Sequence, residues 1–502
     1  MKTTETKSIV SRAVTTVLLC LLILLGFVCF FSAAWYRRVY GDTGFDSVLY
    51  TLTGGLGGLQ PGLLNSFLLG GALPALLCTL ASAVLLFMPR KFIWQPGERG
   101  MKIISVLLSL VLIVHAAFNI GLVKYALARM QLSQLYETEY VDPNTVDITF
   151  PEEKRNLIYI YLESMETSYL GKEQGGAMAQ NLIPELYDLA KDNVNFSHNT
   201  DIGGLVEVPG TSWTVGAMVA QTAGVPLITP SNVDDWQNGY GTNGDFLPGL
   251  TSINNILHDA GYYQALMVGS DANFGGRKTY FSTHDVDKIY DIYSARRDGI
   301  VPPGYFVWWG MEDLHLFEYA KQELLEISQK DQPFAFTMLT VDTHHIGGFE
   351  CVYCDGAHAE SYENAISCSS RQVLSFVDWI RQQDFYENTT VIITGDHFSM
   401  DSGYFNRVVE DGYVRHGYNC FINAPVDAVH TQNRQFSSLD MFPTTLAAMG
   451  CSIEGDQLGF GVNLFSDKPT MIEEFGYSAF CAELNKRTEY YSQHFYSPKD
   501  RD

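Results

Sequence analysis

Three long uncharged stretches within the first 123 residues restrict this chain more than any other feature. Ala13–Trp35, Leu63–Met88 and Ile103–Val123 contain no Asp, Glu, Lys or Arg and are rich in Leu, Val, Ile and Phe. Each is long enough to cross about 30 Å of hydrocarbon as a helix. Pro74 and the glycines of the second run are tolerated in membrane helices. His115 and Asn119 are the strongly polar members of the third run, and an interhelical hydrogen bond is their expected use. The first run is too long for the apolar region of a cleaved signal peptide, and two more runs follow it. Between the first two runs, Val48–Pro61 holds Gly54, Gly55, Gly57 and Gly58. A surface loop and a re-entrant piece both suit that segment.

Basic residues set the expected orientation. Lys2, Lys7 and Arg12 precede the first run, and Arg90, Lys91, Arg99 and Lys102 lie between the second and third. Both groups belong on the cytoplasmic side, against the weaker vote of Arg37 and Arg38. Everything after about Lys124 is then expected outside the cytoplasm. Tyr125–Tyr136 reads as a short amphipathic helix leading off the membrane, and Val141–Pro151 as a linker. The expected organisation is a membrane domain over 1–128, a juxtamembrane segment over 129–151 and an extracytoplasmic domain over 152–502.

Charge divides the chain at the same place. Residues 1–150 carry 11 Lys+Arg against 8 Asp+Glu, while the rest carries 21 against 48, for a net charge of −24 overall. Such an acidic chain does not neutralise phosphates in bulk, which excludes a general nucleic-acid binder. Aromatic residues at 13% exclude a disordered chain. Cys20, Cys29 and Cys78 fall in the membrane runs, and Cys351, Cys354, Cys368, Cys420, Cys451 and Cys481 in the remainder. An exported domain permits disulfides, and at least one is expected among Cys351, Cys354 and Cys368, in preference to a zinc site.

Beyond residue 152, apolar runs alternate with amphipathic segments. Leu157–Leu162, Tyr262–Val268, Phe334–Val341 and Thr390–Thr394 read as buried strands. Leu182–Asp192, Ser252–Ala260, Leu314–Lys330 and Ser369–Gln382 read as helices. That alternation indicates an α/β domain with a mostly parallel central sheet flanked by helices. Ligands gather at the carboxyl ends of such strands. There the sequence puts Glu163 and Ser164, Gly269-Ser270-Asp271, Asp342-Thr343-His344-His345, and Gly395-Asp396-His397. Carboxylates with imidazole suit a divalent metal such as Mn²⁺ or Zn²⁺. Gly210-Thr211-Ser212-Trp213-Thr214 then reads as a helix start, bringing a hydroxyl to a positive helix end, either as a nucleophile or as a plain N-cap.

Six segments in order carry a resemblance: NLIYIYLESMETSYLG (156–171), PGTSWTVGAMVAQTAGVPL (209–227), WWGMEDLHLF (308–317), TVDTHH (340–345), ITGDHFSM (393–400) and SSLDMFPTTLAAMG (437–450). They are similar to the membrane-bound phosphoglycerol transferases of the alkaline phosphatase/sulfatase superfamily, those acting on periplasmic glucans above all and lipoteichoic acid synthases more distantly. The resemblance implies a sulfatase-like domain holding one divalent ion, Mn²⁺ first and Mg²⁺ or Zn²⁺ after it. By the same resemblance Glu163, Thr211, Asp396 and His397 are the metal ligands and Thr211 the nucleophile. His344, Arg277 and Trp213 are implied on the substrate side, with His345 an alternative to His344. Ile346 stands where the family usually has Pro.

The implied reaction moves glycerol phosphate from phosphatidylglycerol, through a phosphothreonine-type intermediate, to a hydroxyl of a glycan or polymer at the outer face of a cell membrane. A phosphoethanolamine transferase shares the Thr and the metal site but typically has five spans. The C/S-x-P-x-R signature of sulfatases is absent around Thr211. An inactive membrane sensor on the same fold is the reading of a different class.

Overall fold

The computed structural model describes residues 2–41, 44–53, 61–87, 97–229 and 244–497. They divide into two compact units. One comprises residues 1–48 with 59–127, the other residues 49–58 with 128–502.

In the first unit, helices α1 (Lys2–Tyr40), α3 (Pro61–Phe67), α4 (Leu73–Phe87) and α5 (Glu98–Asn119) account for the apolar runs. Three stretches among the described residues are long and apolar enough to cross a membrane: Ser11–Tyr40, Gly62–Phe87 and Glu98–Asn119. A wide π-helical turn, Leu68–Ala72, joins α3 to α4 just before Pro74. Small residues let α1 and α5 approach closely. A β-carbon at Gly26 would stand 3.0 Å from the Ser109 α-carbon. Ser105 and Ser109 return their hydroxyls to carbonyls one turn back, at 2.8 and 2.9 Å, so both are satisfied within their own helix. Asn119 is met at its main-chain carbonyl by Arg37 at 3.0 Å, and His115 lies against the Phe30 ring. A short helix, α2 (Phe45–Thr53), opens the segment that the sequence left undecided. Its four glycines, Gly54, Gly55, Gly57 and Gly58, lie outside the described residues, as do Arg90 and Lys91.

The expected helix over Tyr125–Tyr136 is broken. Helical turns cover Leu122–Arg129 and Leu135–Thr138. Between them the chain pairs with Arg487, whose carbonyl accepts the Ser133 N–H at 2.9 Å. Leu135 and Tyr136 then bury themselves, Tyr136 against Phe460, Tyr490, Tyr491 and Phe495. Burial of that leucine and tyrosine outweighs continuation of a short surface helix.

The second unit is built on six strands: β1 (Asn156–Leu162), β2 (Tyr263–Val268), β3 (Lys288–Tyr290), β4 (Phe334–Leu339), β5 (Thr389–Gly395) and β6 (Asn419–Ile422). Their order is β3-β2-β4-β1-β5-β6. All neighbours run parallel except the edge pair β5–β6, which is antiparallel. Alternation along β1 explains the layering. Leu157, Tyr159 and Tyr161 face one core, with Met218, Val219, Phe442 and Leu446. Ile158, Ile160 and Leu162 face the other, with Leu186, Leu316, Leu324, Val373 and Phe376. Both faces are covered by helices, so the strand is apolar throughout and not alternating. The covering helices are α6 (Pro184–Asp192), α7 (Thr214–Ala223), α8 (Ile253–Asp259), α9 (Asp313–Ile327), α10 (Ser361–Ile380) and α11 (Met441–Ala448). α10 begins eight residues before the expected Ser369, because its first turns bury Tyr362, Ala365, Ile366 and Cys368. Strands β3 and β6, of three and four residues, were too short to stand out in the sequence.

Candidate active site

The carboxyl ends of β1 and β5, neighbours in the sheet, bring Glu163, Asp396 and His397 together. One ligand atom from each lies within 4.8 Å of the others, and all three residues are buried. Local backbone makes the approach possible. Gly395 ends β5 so close to β1's exit that a β-carbon there would meet the Met165 carbonyl at 2.0 Å. Ser164 takes a left-handed conformation, φ 54°, a strained state for a residue with a side chain. That turn aims its N–H at Asp396 Oδ1, at 2.8 Å, and its hydroxyl at Glu163 Oε1, at 2.9 Å.

Asp396 Oδ1 also accepts the His397 N–H at 2.7 Å. Asp396 Oδ2 is buried and accepts no hydrogen bond among the described residues, and it lies 3.3 Å from His397 Nε2. His397 Nδ1 meets the Phe398 carbonyl at 2.8 Å. That bond fixes the proton on Nδ1 and leaves Nε2 to face the carboxylates, 3.6 Å from Glu163 Oε1. Burial and the neighbouring Glu163 push Asp396 well above the usual carboxylate range. Burial works against a charged His397, yet Asp396, Glu163 and Glu207 hold its pKa up at about 9. The pocket is therefore short of positive charge. Two carboxylates, an imidazole nitrogen with its outer partner in place and one unbonded oxygen form a donor set that fits a divalent cation.

The head of α7 faces this cluster. Gln221 ties the helix down, accepting from the Tyr159 hydroxyl at 2.7 Å and donating to the Gly395 carbonyl at 3.2 Å. Thr214, the first helical residue, has its hydroxyl 3.4 Å from His397 Nε2. Thr211 lies three residues before the helix in a turn bent at Gly210, φ 86°. Its buried hydroxyl donates to the Val208 carbonyl at 2.9 Å and accepts the Val208 N–H at 3.0 Å. Neither Thr211 nor Ser212 caps the helix; Trp213 occupies that position without a side-chain bond.

The remaining sequence-nominated residues stand around the cluster. Arg277 is 5% exposed; its Nη2 bonds Ser270 Oγ at 2.9 Å and the Asp271 carbonyl at 2.7 Å, and its Nε the Phe274 carbonyl at 3.0 Å. Burial lowers its pKa, offset by the charges of Glu163, Tyr50, Asp271 and Asp396. His344 packs its ring 4.2 Å from Trp309 and 4.4 Å from His345. Burial pushes His344 down to about 3 and His345 well below its ordinary value, so both stay neutral near pH 7. Trp213 is buried and stacked on Tyr50.

Three contributors escaped the sequence reading. Tyr50, from α2, donates to the Gly275 carbonyl at 2.5 Å, at the turn leading into Arg277. Glu207 accepts the Phe398 N–H at 2.5 Å beside His397, and burial pushes it up to about 7. Trp309 stands over His344. Only WW in the 308–317 segment gave any signal, since Tyr50 lies far away in sequence and Glu207 in an unpatterned loop. Elsewhere, the thiols expected to include a disulfide do gather, but Cys351 and Cys368 are 3.7 Å apart and unbonded.

The sulfatase family profile matches residues 155–451. Phosphoglycerol transferase I of Citrobacter koseri is 28% identical over 402 residues, covering 76% of this chain and 48% of that protein. The Escherichia fergusonii protein of the same name is 29% identical over 402 residues, with the same 76% and 48% coverage. The chain thus spans about half the length of the curated relatives it matches. Among solved structures, the integral membrane protein lipooligosaccharide phosphoethanolamine transferase A from Neisseria meningitidis superposes with a TM-score of 0.51 at 14% identity. That match covers 86% of this chain and 84% of the other, a likeness of fold.

Proposed function

The chain belongs to the sulfatase family, and we propose that it is a membrane-bound transferase moving glycerol phosphate from phosphatidylglycerol to an extracytoplasmic glycan or polymer hydroxyl, releasing diacylglycerol. The observation that carries this reading is the buried Glu163–Asp396–His397 cluster facing the hydroxyl-bearing head of α7. The relatives named phosphoglycerol transferase I and the apolar helices support the donor and the membrane setting.

Glu163, Asp396 and His397, joined by Thr211, are the residues that would hold a divalent ion, Mn²⁺ foremost and Mg²⁺ or Zn²⁺ as alternatives. Such an ion supplies charge stabilisation at the phosphoryl oxygens and favours ionisation of a nearby hydroxyl. In our reading Thr211 attacks phosphorus and the glyceryl oxygen of diacylglycerol leaves. The acceptor hydroxyl then attacks the threonine-linked glycerol phosphate and regenerates Thr211. Arg277 offers fixed positive charge to the non-bridging oxygens. Neutral His344 serves as a hydrogen-bonding partner of the phosphate. Asp396 Oδ1 is held by two backbone N–H groups, so the cluster needs no rearrangement to accept charge.

Thr214, whose hydroxyl lies 3.4 Å from His397 Nε2, supports a second reading in which it is the nucleophile. Membranes carrying the protein, incubated with glycerol-labelled phosphatidylglycerol, separate these readings. Transfer of label to glycan, and a glycerophosphoryl adduct on the 209–227 peptide at Thr211, are the expected results. An adduct at Thr214 selects the second reading, and label appearing in neither product nor protein rejects both.

A further inference from the structure

Cys351, Cys354 and Cys368 bring their sulfur atoms within 4.8 Å of one another, away from the triad. Cys351 and Cys368 are 3.7 Å apart. Bonded disulfide sulfurs stand about 2.05 Å apart. Two corners of a tetrahedral site with Zn–S bonds of about 2.3 Å are separated by about 3.8 Å. The Cys351–Cys368 pair has the second spacing.

N–H donors reach two of the cluster's three sulfurs, Cys351 Sγ and Cys368 Sγ. Cys351 and Cys354 bracket a tight turn, closed by the Cys354 N–H on the Cys351 carbonyl at 3.1 Å. Within it the Tyr353 N–H donates to Cys351 Sγ at 3.4 Å. Gln372, one turn along α10 from Cys368, directs its amide N–H toward Cys368 Sγ at 3.4 Å and Cys351 Sγ at 3.9 Å. N–H donors of this kind stabilise the charged sulfur over the neutral thiol, and the thiolate is the form that ligates metal. Cys351 and Cys368 are 8% and 2% exposed, so grouped thiolates there require a compensating cation.

His358, which follows in a C-x₂-C-x₃-H order, is no fourth ligand. Its Nδ1 meets Gln180 Nε2 at 2.9 Å and its Nε2 meets Ser367 Oγ at 3.1 Å. A cleft of about 220 Å³, bordered by Tyr353, Cys368, Arg371 and Gln372, reaches the cluster from outside.

We propose that Cys351, Cys354 and Cys368 hold a second metal ion, soft and divalent in the manner of Zn²⁺, with solvent from the cleft completing four ligands. The ion pins the loop that follows β4, which carries His344 and His345, onto α10. Binding releases the thiol protons and changes no oxidation state.

Cobalt substitution of the full-length protein in detergent, purified under reductant, tests the site. Thiolate ligation of Co²⁺ gives near-ultraviolet sulfur-to-metal charge transfer, which the oxygen and nitrogen donors of the triad do not produce. The band is expected to saturate at one equivalent, to be bleached by Zn²⁺, to vanish in Cys354→Ser and to persist in Asp396→Asn. Cells alkylated before lysis should yield no disulfide among the three cysteines once the protein is unfolded. A wild-type protein without the band, or a 351–354, 351–368 or 354–368 disulfide in those cells, overturns the proposal. Neither result depends on whether glycerol phosphate is transferred.

Discussion

At the scale of single residues, a small set of buried polar and charged side chains is where substitution should tell most. Thr211→Ala, Asp396→Asn and His397→Ala should each lower transfer at least about 100-fold, the scale of losing one major charge stabiliser. Membrane insertion should be unchanged, because these side chains sit at the sheet's edge and not in its cores. Activity assays on variants matched for expression check both points. Elsewhere, buried Glu166 pairs with a partly exposed Arg415. Glu166 Oε2 accepts from Arg415 Nε at 2.7 Å, Oε1 accepts the Ser399 N–H at 3.0 Å, and the guanidinium stacks 3.9 Å from Phe405. Arg415→Met strands a buried carboxylate and should cost about 3–5 kcal/mol in a denaturant titration. His416 stacks on His198 at 3.4 Å, and burial with that neighbour pushes its pKa to about 4. A histidine depressed in the folded state contributes stability that is complete above its unfolded pKa near 6.5 and is lost as pH falls toward 4. Acidification from pH 7 to 5 should therefore lower the thermal midpoint less in His416→Gln than in the wild type.

At the scale of elements, the legible and illegible parts of the sequence separate by mechanism. β1, β2, β4 and β5 are buried on both faces, so their composition alone marks them, and Glu163, Asp396 and His397 follow from looking where those strands end. The resemblance added Arg277 and the order of motifs. Helix starts were harder. Thr211 and Ser212 look like caps, yet the helix waits until Thr214 because Gly210 and the Val208 turn set the entry. Tyr136 looked helical until burial against Phe460 and its neighbours took over. Contacts across long separations left no trace in the sequence, and Tyr50 with Gly275, 225 positions apart, is the clearest. Tyr50 and Gly275 both belong to the second unit, and their contact implies a test. Tyr50→Ala removes both the stacking partner of Trp213 and the bond at the turn before Arg277. Under the proposed role of Arg277, a small displacement of that group costs up to about 100-fold. Transfer should fall about tenfold or more, with metal content measured by elemental analysis unchanged.

At the scale of the whole molecule, the three apolar helices and the acidic remainder must be reconciled with the proposed lipid donor. Acyl chains stay in the bilayer if the catalytic unit works at its surface, so the side on which that unit lies decides which leaflet supplies phosphatidylglycerol. If all three stretches long and apolar enough to cross do so, the segments before the first and after the third lie on opposite sides. Lys2, Lys7 and Arg12 before the first span, with Arg90, Lys91, Arg99 and Lys102 between the second and third, favour a cytoplasmic start by the positive-inside rule. Arg37 and Arg38 are the opposing residues, at the other end of α1. The heavy negative charge of the part beyond residue 150 is no obstacle to export, since acidic residues contribute little to that rule. Alkaline phosphatase fused after Asp502 should therefore be active and green fluorescent protein at the same position dark, in cells that export by the general secretion route. The reverse pattern places the catalytic unit in the cytoplasm and removes the outer-face donor and glycan acceptor from the proposed reaction. Moving Lys2, Lys7 and Arg12 to Ala should weaken the bias, and moving Arg37 and Arg38 to Ala should strengthen it, each read as the ratio of the two reporters.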